Sequence, residues 1–419
     1  MKTLVRPDNI DRLIARFAEI SEGGPGVTRL AYSPLEREAH AVFAEEMTRL
    51  GATVTGDAVG NSIAELPPTT GGQMAAIGTG SHLDSVPVGG RFDGIAGVCA
   101  GIEVARAVVE AGLERNRPWR IVAFAAEEGA RFGQACNGSR AVAGLSTPEG
   151  LAALHDKNGV TLAEAMRSLG LAPERCREAT WDRADWCAFV ELHIEQGNLL
   201  ESSGLPIGVV DVISGSSRLL VRIEGTASHT GGTPMYLRRD ALAAAAECVL
   251  VCERIAGDSR HRGTRVTVGR LEVQPGSVTT IPGEVVFSVD VRDLDNARQR
   301  ETVEELIGRF GGIVERRRVR LVVERTGDTS PVMLPSWLAG EIVSAAGAEG
   351  YAYRVMSSGA SHDSQQVNRI APTGMIFVPS RDGLSHVPQE WTTSEELSAG
   401  AAVLLATLLR LDARSEAAR

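Results

Sequence analysis

Apolar and polar positions follow one rhythm in the first half of this chain, a second in its middle, and the first again near the end. Ala75 to Gly80 is a short apolar run that reaches Ser81-His82. Arg120 to Ala126 is another, stopping at Glu127-Glu128-Gly129, and Ala188 to Leu192 runs into His193. Runs this short and this apolar read as buried strands. Between them, Glu36 to Leu50 and Gly94 to Ala111 have helical spacing. Alternating strands and helices predict an α/β domain built on a mostly parallel sheet. Ligands bind such sheets beyond the carboxyl ends of the strands, where His82, Glu127 and His193 fall.

Near Val212 the rhythm changes. Leu219 to Glu224, Arg265 to Val273, Val285 to Arg292 and Arg318 to Glu324 read as strands, while Arg238 to Ile255 and Ala297 to Phe310 read as helices. After Gly327 the first pattern returns, with a helix at Ser336 to Ala348, a strand at Gly374 to Val378 and a closing helix at Ser394 to Leu411. The layout predicts a discontinuous α/β domain, 1–211 and 327–419, interrupted by an α+β domain at 212–326.

The chain has 419 residues, a size that points to two domains rather than one core. Its net charge of −10 argues against binding nucleic acid or an anionic membrane by bulk charge. The one short basic run, Glu315-Arg316-Arg317-Arg318, reads as a solvated strand edge. The amino terminus lacks the apolar core of a signal peptide, and no stretch is apolar for long enough to span a bilayer. A cytoplasmic protein with reduced thiols is expected. Cys248 and Cys252, four apart in a helical pattern, read as core packing.

Only eight histidines are present. A histidine closing an apolar strand beside acidic residues suits metal binding. His82 and Asp84 point to the same side of a strand, so the carboxylate can fix the imidazole tautomer. In Gly89-Gly90-Arg91-Phe92-Asp93-Gly94, Asp93 opens a helix. It reads as an N-cap or as a metal-bridging carboxylate, and spacing alone favours the cap. Glu127-Glu128 places two carboxylates at the end of a buried strand. One could bind metal while the other acts as a base, and a solvated loop start explains the pair equally well. P-loop, GxSxG and HExxH patterns are absent, and Gly78-Thr79-Gly80 lacks the third glycine of a dinucleotide fingerprint.

Taken as an ordered set, these segments resemble the M20 metallopeptidase superfamily, in its amidase branch of N-carbamoyl-L-amino acid hydrolases, allantoate amidohydrolases and β-ureidopropionases. The resemblance also rests on Gly138-Ser139-Arg140, Glu191-Leu192-His193-Ile194-Glu195-Gln196-Gly197, Thr233-Pro234-Met235, Ser358-Gly359-Ala360 with His362-Asp363, and Ser385-His386. It implies a catalytic domain holding two divalent metal ions and an inserted lid that forms a homodimer. It implies His82, Asp93, Glu128, His193 and His386 as metal ligands, with Asp93 as the bridge. Glu127 would be the base, and Asp84 would orient His82. Gln196, Thr279, Arg292 and Gly359 would contact substrate. His229, in Ala227-Ser228-His229-Thr230-Gly231, would reach the partner subunit's site and stabilise an oxyanion there.

Thr279 departs from the asparagine usual among close relatives, which bears on the carboxylate end of the substrate. Arg292 has a geometric reason to hold that carboxylate, and it also reads as a strand arginine paired with neighbouring aspartates. The donor set suits zinc, manganese, cobalt or nickel. The expected reaction is hydrolysis of the carbamoyl C–N bond of an N-carbamoyl-L-amino acid. Allantoate or another ureido acid such as 3-ureidopropionate is the alternative substrate, and an exopeptidase or N-acyl amino acid deacylase is the more distant alternative. Lid hinges are expected near Val212 and Thr326.

Overall fold

Four parallel strands carry the first unit of the fold. Across the sheet they are Trp119–Phe124, Ala76–His82, Trp186–Ile194 and Thr373–Val378, so their carboxyl ends share one edge. Antiparallel strands extend both sides, Ser62–Leu66 and Thr53–Gly56 on one and Ile207–Ile213 on the other. The computed structural model describes residues 1–71 and 74–414. The first unit comprises Met1–Asp211 and the chain from Met333 onward.

Helices Ile95–Glu110, Ser336–Ala348 and Ser394–Asp412 pack on the sheet, and Pro7–Glu19 packs on two of them. Ile95–Glu110 is buried along nearly its whole length, and its polar side chains inside that length, Glu103 and Arg106, pair with each other. Leu13, Phe17, Val104, Leu192 and Leu405 meet in one core. Each such side chain contributes about 1.5–3 kcal/mol when fully buried. Short helices Asn137–Val142 and Asp363–Val367 pack against each other, and the second also meets two of the central strands.

The second unit is Val212–Val332. Its antiparallel sheet runs Leu271–Gln274, Glu284–Asp293, Gly215–Glu224, Arg320–Thr329, and Arg265–Thr267 also pairs with Glu284–Asp293. Val285, Phe287, Val289 and Val291 alternate into a core with helices Ala241–Ala256 and Asn296–Arg317, the period-2 pattern of a half-buried strand. The unit ends beyond the expected 326 because its last strand continues to Thr329.

Three local expectations are corrected. Glu315 to Arg317 close the helix Asn296–Arg317, and Arg318 is its left-handed cap, so the basic run is a helix end rather than a strand edge. Basic side chains there complement the helix dipole. The expected strand Arg265 to Val273 is two strands, Arg265–Thr267 and Leu271–Gln274. Just before the second, the Arg270 carbonyl still accepts the Ser288 amide at 3.1 Å while the Arg270 amide turns to Ser288 Oγ at 3.1 Å. The strand expected to reach Ala126 stops at Phe124, for a reason that lies in the site. Among the described residues no helix is long and apolar enough to cross a membrane.

Candidate active site

Beyond Phe124 the chain leaves the sheet, and side chains capture its next four amides. Asn61 Oδ1 accepts from Ala125 at 2.9 Å, and Glu36 Oε1 accepts from Ala126 at 2.7 Å. Asp84 Oδ1 accepts from Glu127 and Oδ2 from Glu128, both at 2.9 Å. Ala126 has a φ of 55°, a left-handed conformation that a non-glycine residue adopts only when its surroundings impose it. The four captured amides supply that constraint. They turn Glu127 and Glu128 into the space above the strand ends.

His82 ends one strand, and His193 is the next-to-last residue of its neighbour. His82 Nδ1 donates to the Asp84 carbonyl at 3.2 Å, and His193 Nδ1 donates to the Ile194 carbonyl at 2.9 Å. These bonds leave both Nε2 atoms facing Asp93 Oδ1, at 3.5 Å from His82 and 3.2 Å from His193. Asp93 Oδ2 faces His386 Nε2 at 3.2 Å, and His386 in turn lies 3.4 Å from Glu128 Oε1. Asp93 is therefore shared between two groups, His82–Asp93–His193 and Asp93–Glu128–His386. The cap reading of Asp93 is overturned. The cap position of the helix Ile95–Glu110 is Gly94, and no side chain caps it. Gly94 has a φ of 70°, and a Cβ there would lie 2.4 Å from the His82 ring.

Burial would raise the Asp93 carboxyl, but the three imidazoles around it hold it well below the usual range. Hydrogen bonding to Asp93 lifts His386 to about 9. Burial, Asp93 and Glu127 together push Glu128 well above the usual carboxylate value. Burial likewise raises Glu127, opposed by His82. Neutral rings would point Nε2 lone pairs at carboxylate oxygens, so the cluster needs positive charge among its ligand atoms. Glu128 Oε1 is buried without a hydrogen-bond partner among the described residues. Both features fit a metal ion held by these residues.

Around this centre, Glu127 Oε2 lies 3.9 Å from His82 Nε2, and its Oε1 accepts from Cys136 Sγ at 3.0 Å. Gln196 Nε2 donates to Asp93 Oδ2 at 2.7 Å and to Ser385 Oγ at 3.2 Å. Gly359 follows the strand Tyr353–Ser358 in the first unit. His229, Thr279 and Arg292 belong to the second unit. There His229 Nδ1 accepts from the Gly231 and Gly232 amides at 3.0 and 3.1 Å, and the Thr279 carbonyl accepts from the Thr230 amide at 3.1 Å. Arg292 Nε donates to Asp290 at 2.8 Å.

The sequence reading missed Asn61, Glu36, Cys136 and Glu390, which hold the site without lying in it. It also missed what the Asp84 carboxylate does. That group grips the Glu127 and Glu128 amides more closely than it approaches His82, whose Nδ1 is 3.5 Å away. For Glu390 the signal was its place four residues after His386. Asn61 and Glu36 gave none, because their partners are 64 and 90 residues away, and Cys136, nine residues after Glu127, stands in no pattern that marks it.

Residues 78–410 match the profile described as Peptidase family M20/M25/M40. The chain belongs to that family. Its M20 relatives include an N-carbamoyl-L-amino acid amidohydrolase of Geobacillus stearothermophilus, 43% identical over 96% of this chain and 98% of that protein. An allantoate amidohydrolase of Bacillus subtilis is 33% identical over 95% of both chains. An amidase of the hydantoinase/carbamoylase family from Burkholderia multivorans has a solved structure with a TM-score of 0.85, 34% identity and 98% of both chains covered. Within M20 the chain falls in the amidase branch, and it is a hydrolase of carbon–nitrogen bonds other than peptide bonds.

Proposed function

We propose that this protein hydrolyses the carbamoyl C–N bond of N-carbamoyl-L-amino acids, giving free amino acid, ammonia and carbon dioxide. The observation that carries this reading is the placement of Asp93 between two ligand groups with Glu127 beside them. His82, Asp93, His193, Glu128 and His386 would hold two divalent ions, zinc or manganese, cobalt or nickel. Such ions lower the pKa of bound water and polarise a carbonyl.

The chain's own residues then have separate tasks. Glu127 takes a proton from the water that attacks the ureido carbon and passes it to the departing nitrogen. The C–N bond breaks, ammonia leaves, and the remaining carbamate loses carbon dioxide. Asp84 and Cys136 keep Glu127 in place. Gln196, Thr279, Arg292 and Gly359 bind substrate, with the Arg292 guanidinium on its carboxylate. His229 acts on the partner subunit's site in a homodimer formed through the domain 212–326. Two glycine amides donate to its Nδ1, so the neutral ring carries its proton on Nε2 and can donate to an oxyanion.

A second reading, allantoate or another ureido acid such as 3-ureidopropionate, is favoured by the Bacillus subtilis relative. Ranking kcat/KM over N-carbamoyl-L-amino acids, allantoate, 3-ureidopropionate and an N-acetyl amino acid tests both. N-carbamoyl-L-amino acids should lead. A lead for allantoate or 3-ureidopropionate supports the second reading, and turnover of the acetyl compound alone contradicts both.

A further inference from the structure

Glu390 is almost completely buried, at 1% exposure, and belongs to none of the candidate ligand groups among the described residues. Its Oε1 accepts from the Phe92 amide at 2.9 Å and the Asp93 amide at 3.0 Å. Its Oε2 accepts from Ser385 Oγ at 2.9 Å, and Ser385 Oγ lies 3.0 Å from Asp93 Oδ2. One carboxylate thus ties the backbone that carries Asp93 to the residue preceding His386. The space for it exists only because residue 90 is glycine. A Cβ at Gly90 would lie 2.1 Å from Glu390 Oε1. Phe92 and Trp391 reinforce the tie, their rings meeting edge to face at 5.4 Å.

The two ligand groups are anchored differently. His82 and His193 sit on central strands held by the sheet. His386 sits on a loop with a φ of 63°, and half of its side chain is exposed. The Glu390–Ser385 tie fastens that loop to the Asp93 segment. We infer that Glu390 is a positioning residue for the Asp93–Glu128–His386 group, so that its loss selectively weakens the metal held on that side. The inference rests on the two-metal reading above. Partners behind metal ligands typically carry about 10–100-fold of affinity.

The test is manganese titration of chelator-stripped protein followed by calorimetry. Wild type should bind two equivalents. E390Q, which keeps the side-chain volume, should bind one as wild type does and the other at least about tenfold more weakly. S385A, which cuts only the Oε2 arm, should weaken the same equivalent less, and it decides the matter by the same criterion if E390Q does not fold. The affected equivalent should be the one lost in H386A. Two unchanged equivalents in E390Q, or equal weakening of both, would overturn the positioning role while leaving the two-metal reading intact. Fewer than two equivalents in wild type would overturn that reading and this inference with it.

Discussion

Asp84 holds Glu127 by its backbone, with Oδ1 accepting the Glu127 amide at 2.9 Å while Oδ2 takes the Glu128 amide at the same distance. The two residues proposed as base and ligand are thus set by one buried carboxylate. In D84N, one of the two amides would face an NH2 group instead of an acceptor. A buried donor left unpaired costs about 1–3 kcal/mol. D84N is expected to lose stability by that order in urea unfolding and to lower kcat by about 10–100-fold.

Gly94 packs its Cα against the ring of His82. G94A adds a methyl 2.4 Å from that ring in a backbone with a φ of 70°, so His82 must turn away. Metal stoichiometry, measured by elemental analysis after dialysis, should drop, and the melting temperature of the stripped protein should fall too. Wild-type stoichiometry in G94A would show that His82 is not held as described.

Glu36 predicts a pH dependence of stability. Burial, then Asp84, pushes its carboxyl to about 8, whereas an unfolded glutamate titrates near about 4.3. Above about pH 4.3 the unfolded chain gives up a proton that the folded chain keeps until about pH 8. This group's contribution to stability therefore falls as pH rises across that window and is constant above it. E36Q removes the slope, so relative to wild type it should gain stability between pH 5 and pH 8. Equal shifts in both proteins would contradict the raised value.

His229 stands apart from the metal cluster in the chain's division into units. If it donates to the oxyanion in a partner's site, H229A should lower kcat by about 10²–10³-fold, the cost of one such donor. Its mass in solution should remain that of the wild type. Undiminished turnover with an unchanged mass would remove His229 from the chemistry.

The parts of this site legible in sequence are those whose signal is local. His82, Glu127 and His193 follow apolar runs, and those runs became neighbouring parallel strands with their carboxyl ends on one edge. What stayed hidden was long-range. Asn61, Glu36 and Asp84 reach the segment 125–128 from far upstream, and Glu390 reaches Asp93 from almost the other end of the chain. No periodicity marks such contacts. Asp93 shows the limit best. Spacing alone made it a helix cap, the family resemblance made it a bridging ligand, and the three histidines converging on its carboxylate agree with the second. The basic run misled for a related reason. Asn296–Arg317 is longer than its apolar stripe suggested, because its last turn is polar and exposed.

The most direct test of the account follows ammonia release from an N-carbamoyl-L-amino acid by wild type and E127Q, each stripped with chelator and reloaded with manganese or zinc. Stripped wild type should release none, reloading should restore release, and reloaded E127Q should show a kcat about 10²–10⁴-fold lower with unchanged metal content. Release that persists in stripped protein, or reloaded E127Q that turns over like wild type, would contradict it.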